Sequence, residues 1–201
     1  MHLTFLDAVG SKTGKLFPTG QTMDVLDGVP VTCIDMAMPM MLVQARHLGV
    51  TGAETPAELD ANRQLLDRLE ALRLQAGKAM GLGDVSGMVI PKPVLVSAPR
   101  YDGTLQVRYF MPHNCHRALA ITGAVGLATA CVSPGTVIGE LLGEAAQQLT
   151  QVRLEHPGGG IDVALSRSGA DGKTIQASVV RTARRLFSGF VYAPTLRRLA
   201  G

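Results

Sequence analysis

Between Ala118 and Val132 the chain carries no charged side chain, and most of its residues are small. That run falls short of the ~20 apolar residues a bilayer crossing needs, so it reads as a helix buried in a protein core. Gly123, Gly126 and the alanines are poor choices for propensity alone. They make sense if other elements approach the helix closely on every side, because a helix apolar all round is a central one. Whatever this chain folds into must wrap that helix.

The stretch before it carries chemistry. Pro112 disfavours helix at Met111, and Asn114 is a good N-cap, which places Cys115, His116 and Arg117 in the first turn. Free N–H groups and the helix dipole at such an end favour a bound anion. Arg117 and a protonated His116 oppose that dipole, and a carboxylate or phosphate would relieve the conflict. The same field would lower the pKa of Cys115. Taken singly, each residue has a structural explanation: Arg117 in solvent, the histidines satisfying nearby backbone. The cluster His113, Asn114, Cys115 and His116 at one helix mouth points to an anion site.

Composition narrows the function classes. With 46% hydrophobic and 17% charged residues among 201, the chain is globular, with enough length for one good core. Twenty-three glycines and 11 prolines imply many tight turns between short strands. Trp is absent and Phe and Tyr are scarce, which argues against base-stacking platforms. The net charge of +3 is spread along the chain, so nucleic acid is not expected as a partner, and neither is a membrane. Cysteines at 33, 115 and 131 have no paired spacing, as for reduced thiols in a cytoplasmic protein.

In chain order, His2 to Asp7 reads as a strand. Ala8 to Gly20 is a glycine-rich loop that fails as a nucleotide P-loop: three residues separate Gly10 from Gly14, Leu16 replaces the hydroxyl residue, and Pro18 precludes a helix. Ser11, Thr13 and the backbone N–H groups of that loop could still hold a small anion; a plain connection is the competing reading. Asp27-Gly28 marks a hairpin between Met23–Leu26 and Val31–Ile34. Met40 to Ala45 is the next strand. Thr55, Pro56 and Glu58 form a capping box, opening an amphipathic helix that runs to about Gly81 with a break at Ala61-Asn62. No chemistry is assigned to it. After a second glycine-rich loop to Lys92, Val94–Ala98 and Leu105–Phe110 flank Asp102-Gly103 and deliver the chain to the central helix. A short helix from Val137 to about Gln147 and strands Val152–His156, Ile161–Leu165 and Ile175–Leu186 close the chain, the last two around Asp171-Gly172; Phe187–Tyr192 would extend or repeat the last strand. The expected architecture is α+β: a strongly bent, mostly antiparallel, barrel-like sheet around one buried helix.

This arrangement resembles one domain of the diaminopimelate-epimerase-like fold. Nearly the whole sequence is similar to the C-terminal half of the PrpF family, which contains 4-oxalomesaconate tautomerases and aconitate or methylaconitate isomerases. The residues that carry the match are Phe5-Leu-Asp7, Gly10-Ser-Lys-Thr-Gly-Lys-Leu-Phe-Pro-Thr-Gly20, Val31-Thr-Cys-Ile-Asp35, Met38-Pro39, Leu82-Gly-Asp-Val-Ser86 and Pro91-Lys92. Arg108-Tyr-Phe-Met-Pro-His-Asn-Cys-His116, Thr122-Gly-Ala-Val125, Glu155-His-Pro157 and Val180-Arg-Thr-Ala-Arg-Arg-Leu-Phe187 continue it. The Pro-His-Asn-Cys-His and Arg-Thr-Ala-Arg segments look most like the tautomerase branch.

The resemblance implies a 1,3-proton shift on a tri- or dicarboxylate, with no metal and no organic cofactor. It also implies a preceding domain of similar size that carries the proton-moving lysine and a cysteine in a Pro-Asn-Cys-Gly-Asn type motif. Neither motif occurs here, so residues 1–201 are read as a single domain whose N-terminal partner domain is absent. No catalytic residue is expected in it, and Cys115, lying in a different motif, does not inherit the cysteine's role. The substrate-binding candidates are Ser11, Thr13, His113, Asn114, Cys115 and His116. The missing domain, or a second copy in a homodimer, would complete the cleft. The alternatives are an aconitate or methylaconitate isomerase half, a non-catalytic carboxylate-binding module, and a truncated fragment without activity. A zinc site on His113, Cys115, His116 and His156 lacks the paired ligand spacing of structural zinc.

Overall fold

A computed structural model describes residues 2–5, 8–168, 174–180, 182, 184–190 and 192. Its strands are β1 (His2–Thr4), β2 (Asp24–Leu26), β3 (Val29–Asp35), β4 (Pro39–Gln44), β5 (Lys92–Ser97), β6 (Leu105–Tyr109), β7 (Gln151–His156), β8 (Gly159–Ser168) and β9 (Thr174–Val180). The helices are α1 (Pro56–Ala61), α2 (Arg63–Ala79), α3 (Ile121–Cys131) and α4 (Val137–Leu142). All nine strands form one sheet in the order β1-β9-β8-β7-β6-β5-β4-β3-β2. β4 pairs with β5 and β6 with β7 in parallel; the other pairings are antiparallel. The fold is α+β, and the sheet is strongly bent but unclosed, with β1 and β2 at its two ends.

Period-two alternation splits the sheet between two cores. Met40 and Leu42 of β4, Val94 and Val96 of β5, and Leu105, Val107 and Tyr109 of β6 pack in the core around α3. The intervening Met41, Val43 and Leu95 pack with Val31 and Cys33 against Leu65, Leu69 and Leu72 of α2. Helix α3 is buried from Gly123 to Cys131 and touches β3, β7, β8 and β9. Its glycines are there for close approach: a Cβ on Gly123 would lie 2.7 Å from the Tyr109 ring, and one on Gly126 would collide with Met40.

The break between α1 and α2 falls where the sequence places it. Thr55 and Glu58 form the capping box of α1, and the Asn62 side chain accepts from Leu65 N at 3.0 Å to cap α2. One residue on α2 departs from the expected solvated face. Arg73 is fully buried and donates to the carbonyls of Val85, Met88 and Ile90 while pairing with Glu70, so it organises the loop that precedes β5. The Asp27-Gly28 hairpin has positive φ at both positions, as a two-residue turn requires.

Other boundaries differ. β9 ends at Val180, and residues 184–190 and 192 lie outside any strand, because no neighbouring edge pairs with them. The α4 helix stops at Leu142 and continues as a 3-10 turn, Glu144–Gln148, after Gly143. Asp7 and the Asp171-Gly172 turn lie outside the described residues.

Candidate functional site

The register brings the sequence motifs to one edge of the sheet. Asp35 ends β3 opposite Pro39, Met40 faces Lys92 at the start of β5, and Val94 faces Tyr109 at the end of β6. Because β6 and β7 run in parallel, His156 and the turn that follows it lie at the same edge. Helix α3 starts there too, with Gly123 against Tyr109 and Gly126 against Met36 and Met40.

The glycine-rich loop holds an anion, and the anion is internal. Ser11 Oγ donates to Asp35 Oδ1 at 2.7 Å; Lys12 N, Thr13 N and Thr13 Oγ1 donate to Oδ2 at 2.8, 2.8 and 2.9 Å. Asp35 is wholly buried beneath them. The left-handed Gly10 lets the loop close, since a Cβ there would strike the Gly14–Lys15 peptide. Among the described residues, the hydroxyls and N–H groups considered for substrate are thus engaged by the protein's own carboxylate.

The segment Phe110–Ala120 corrects the expected helix mouth. Helix α3 begins at Ile121 with Ala120 as N-cap, so Asn114 caps nothing and Cys115, His116 and Arg117 precede the helix. Phe110 and Cys115 form an isolated antiparallel bridge, and Met111 N donates to Asn114 O, closing a turn. That turn outcompetes the helix because Phe110 and Cys115 both bury against the α2 side, which a first helical turn could not achieve. Exposed His113 lies 3.9 Å from Glu70. Cys115 N donates to Asp60, and its thiol is buried. Burial raises the Cys115 pKa to about 12, with Arg108 opposing and Asp60 adding, which corrects the expected thiolate. Cys33 and Cys131 are pushed to about 12 by burial as well.

His116 returns to the α3 end by another route. Its amide donates to Tyr109 O at 2.7 Å, and Nδ1 lies 2.9 Å from Ala118 O and 3.0 Å from Ala118 N, donating to the first or accepting from the second according to its tautomer. The ring stands edge-on to Tyr109, whose hydroxyl faces Met38 Sδ at 3.0 Å. These contacts fix the imidazole beside the helix start, and among the described residues Nε2 has no hydrogen-bond partner. No side chain caps α3, and the first intrahelical bond is Ala124 N to Ala120 O at 2.9 Å. The N–H groups of Ile121, Thr122 and Gly123 therefore remain donors at this edge.

Lys92 is the residue the sequence reading passed over. It is only 3% exposed, and its Nζ meets no carboxylate among the described residues, only Met111 Sδ at 3.4 Å. Burial first, and then the charge of Arg73, lower its pKa. A buried ammonium with a thioether for acceptor is poorly compensated, and an incoming carboxylate would correct that. The signal was present: Lys92 is in phase with the inward-facing Val94 and Val96, at a position where a lysine needs a reason. Among the described residues no group of three His, Cys, Asp or Glu side chains is placed to hold a metal ion.

The profile of the family described as PrpF protein matches residues 1–194. The chain belongs to the PrpF family. YbhH of Escherichia coli (strain K12) is 57% identical over 192 residues, covering 96% of this chain and 54% of that protein. The 4-oxalomesaconate tautomerase of Pseudomonas putida is 45% identical over 189 residues, covering 94% and 52%. The crystal structure of a methylitaconate-delta-isomerase superposes with a TM-score of 0.80 at 29% identity, covering 92% of this chain and 53% of its own. The chain thus spans about half the length of the curated relatives it matches. The shared architecture is the diaminopimelate-epimerase-like fold.

Proposed function

We propose that this PrpF chain is the substrate-holding part of a cofactor-independent isomerase that shifts a proton across three carbons of an unsaturated tricarboxylate, with 4-oxalomesaconate as the named compound of first choice. The reading rests on Lys92, a buried cation that meets Met111 and no carboxylate among the described residues; the uncapped start of α3 and the ring of His116 are further donors at that end of the sheet. Family membership and a relative named for 4-oxalomesaconate support it.

The chemistry follows from the donors. A base removes the proton from the acidic carbon, the electron pair delocalises onto a carboxylate or keto oxygen as a dienolate, and the proton returns to the carbon two positions along. No atom is gained and nothing is oxidised. Lys92 and the N–H groups of residues 121–123 stabilise negative charge where it develops, the usual source of the largest electrostatic benefit. Groups that carry the proton lie outside these residues in this reading. A partner domain, or a second copy of the chain, would supply them.

Titration with trans-aconitate, a stable tricarboxylate, tests the proposal. Amide signals of Lys92, His116 and residues 121–123 are expected to shift together, with Lys92→Met weakening binding about tenfold or more and His116→Ala by about 1.5–3 kcal/mol. Binding that survives Lys92→Met unchanged would remove the basis for this site. The isolated chain is expected to turn over 4-oxalomesaconate negligibly, and a rate near ~10 s⁻¹ would show that the proton-moving groups are here after all.

A further inference from the structure

The opposite face of the sheet contains, besides Arg73, another buried cation. Gln106 and Arg108 of β6 point away from α3, as do Arg153 and Glu155 of β7, and Gln106 sits directly opposite Glu155. These side chains, with Pro56, Arg100 and Pro157, line a cleft of about 420 Å³, within the size range of small-molecule sites.

Arg108 is 6% exposed. Its Nε donates to Glu54 O at 2.7 Å and its Nη1 to Val107 O at 3.0 Å. Among the described residues Nη2 has no acceptor, and no ion pair includes this guanidinium. The acids near enough to neutralise it are committed elsewhere. Glu54 accepts from Thr51 N, Thr51 Oγ1 and Gly52 N at 2.7–2.9 Å. Glu155 accepts from the backbone N–H groups of Arg100, Tyr101 and Gly103 at 2.7–2.9 Å. Asp102 and Asp162 lie against Arg153. Two residues along the same face, Gln106 is equally buried; its Oε1 meets Ser97 Oγ at 3.4 Å, and its Nε2 has no acceptor among the described residues. Neither Arg108 nor Gln106 has a polar atom sealed from solvent without a partner; among the described residues the one such atom is Gln44 Oε1. Their spare donors therefore open to the cleft.

Buried charges are ordinarily paired, and a guanidinium that keeps its charge at any accessible pH is a durable anion holder. We propose that this cleft binds a small organic carboxylate, its charged end on Arg108 Nη2 and Gln106 Nε2 and its body between Pro56 and Pro157, with Arg100 at the rim. The site is separate from the α3 edge, since the sheet lies between them, and it stands whether or not the isomerase reading holds.

Amide-shift titration of the full chain with malonate at low ionic strength tests it. Saturable shifts are expected in residues 100–108 and 155–160; they persist in Lys92→Met, which disables only the α3 edge, and weaken about tenfold or more in Arg108→Gln. If Arg108→Gln does not fold, Gln106→Leu and Arg100→Ala decide instead, each weakening those shifts about threefold. Absence of saturable shifts in these segments overturns the proposal. So do shifts that survive Arg108→Gln or, failing that variant, both substitutes unchanged. Tighter binding of inorganic phosphate than of malonate overturns the carboxylate assignment.

Discussion

The α3 edge and the outer cleft are built on the same plan, and the difference that matters is the base each one buries. Each holds an acid clasped by donors of a loop: Asp35 by residues 11–13, Glu155 by the turn at residues 100–103. Each also holds a buried base that forms no ion pair among the described residues, Lys92 in one and Arg108 in the other. Asp35 and Glu155 shape loops rather than neutralise these two bases, while the buried Arg73 keeps Glu70 as its partner. A lysine pKa falls readily on burial, and that of Lys92 is lowered in this way. Arg108 is also lowered by burial, but from so high a starting point that it stays charged and can only bind.

The largest test of this plan is removal of a clasped acid. Asp35→Ala strips four hydrogen bonds from a wholly buried carboxylate and should cost about 3–4 kcal/mol in urea unfolding. A cost below about 1 kcal/mol would mean that the glycine-rich loop does not depend on Asp35. Glu155→Ala loses three backbone donors that water can partly replace, and about 2 kcal/mol is expected.

Lys92→Met should behave oppositely. Removing an uncompensated cation is expected to leave stability at neutral pH unchanged or raised by up to about 1 kcal/mol, while tricarboxylate binding falls. The sign with pH follows from the lowered pKa: the folded state binds fewer protons than the unfolded chain, whose lysine titrates near 10.5. Lys92 therefore costs stability in full below its folded pKa, and that cost disappears as pH rises from the folded value toward 10.5. Parent and variant compared in urea between about pH 7 and pH 10 should converge upward, the parent gaining on the variant. Parallel curves would show that Lys92 is solvated as an ordinary surface lysine. The smallest effect is assigned to exposed His113: its 3.9 Å approach to Glu70 is loose, and His113→Ala should change stability by less than about 0.5 kcal/mol. A larger loss would make the Glu70–Arg73 pair a three-member network.

Much of the fold was readable because its signals are local. The charge-free run marked α3, the Thr55 capping box and Asn62 marked α1 and α2, and Asp27-Gly28 marked a hairpin. The site was only half readable. Asn114 has the chemistry of a cap, but a cap needs the helix to start beside it, and burial of Phe110 and Cys115 on the far side of the sheet decided otherwise. Ser11 and Thr13 have the chemistry of anion donors, but the anion they hold is the Asp35 carboxylate, because β3 arrives beneath them 22 to 24 residues later.

By itself, then, the sequence determined the central helix, the alternation of the strands and the family, because periodicity, turn chemistry and motif order are properties of neighbouring residues. Only the tertiary structure decided which charges remain open. An isolated carboxylate or ammonium looks the same in any sequence. Pairing depends on strand register and loop closure, and here these give Asp35 and Glu155 to loop donors while Lys92 and Arg108, on opposite faces of one sheet, form no ion pair among the described residues.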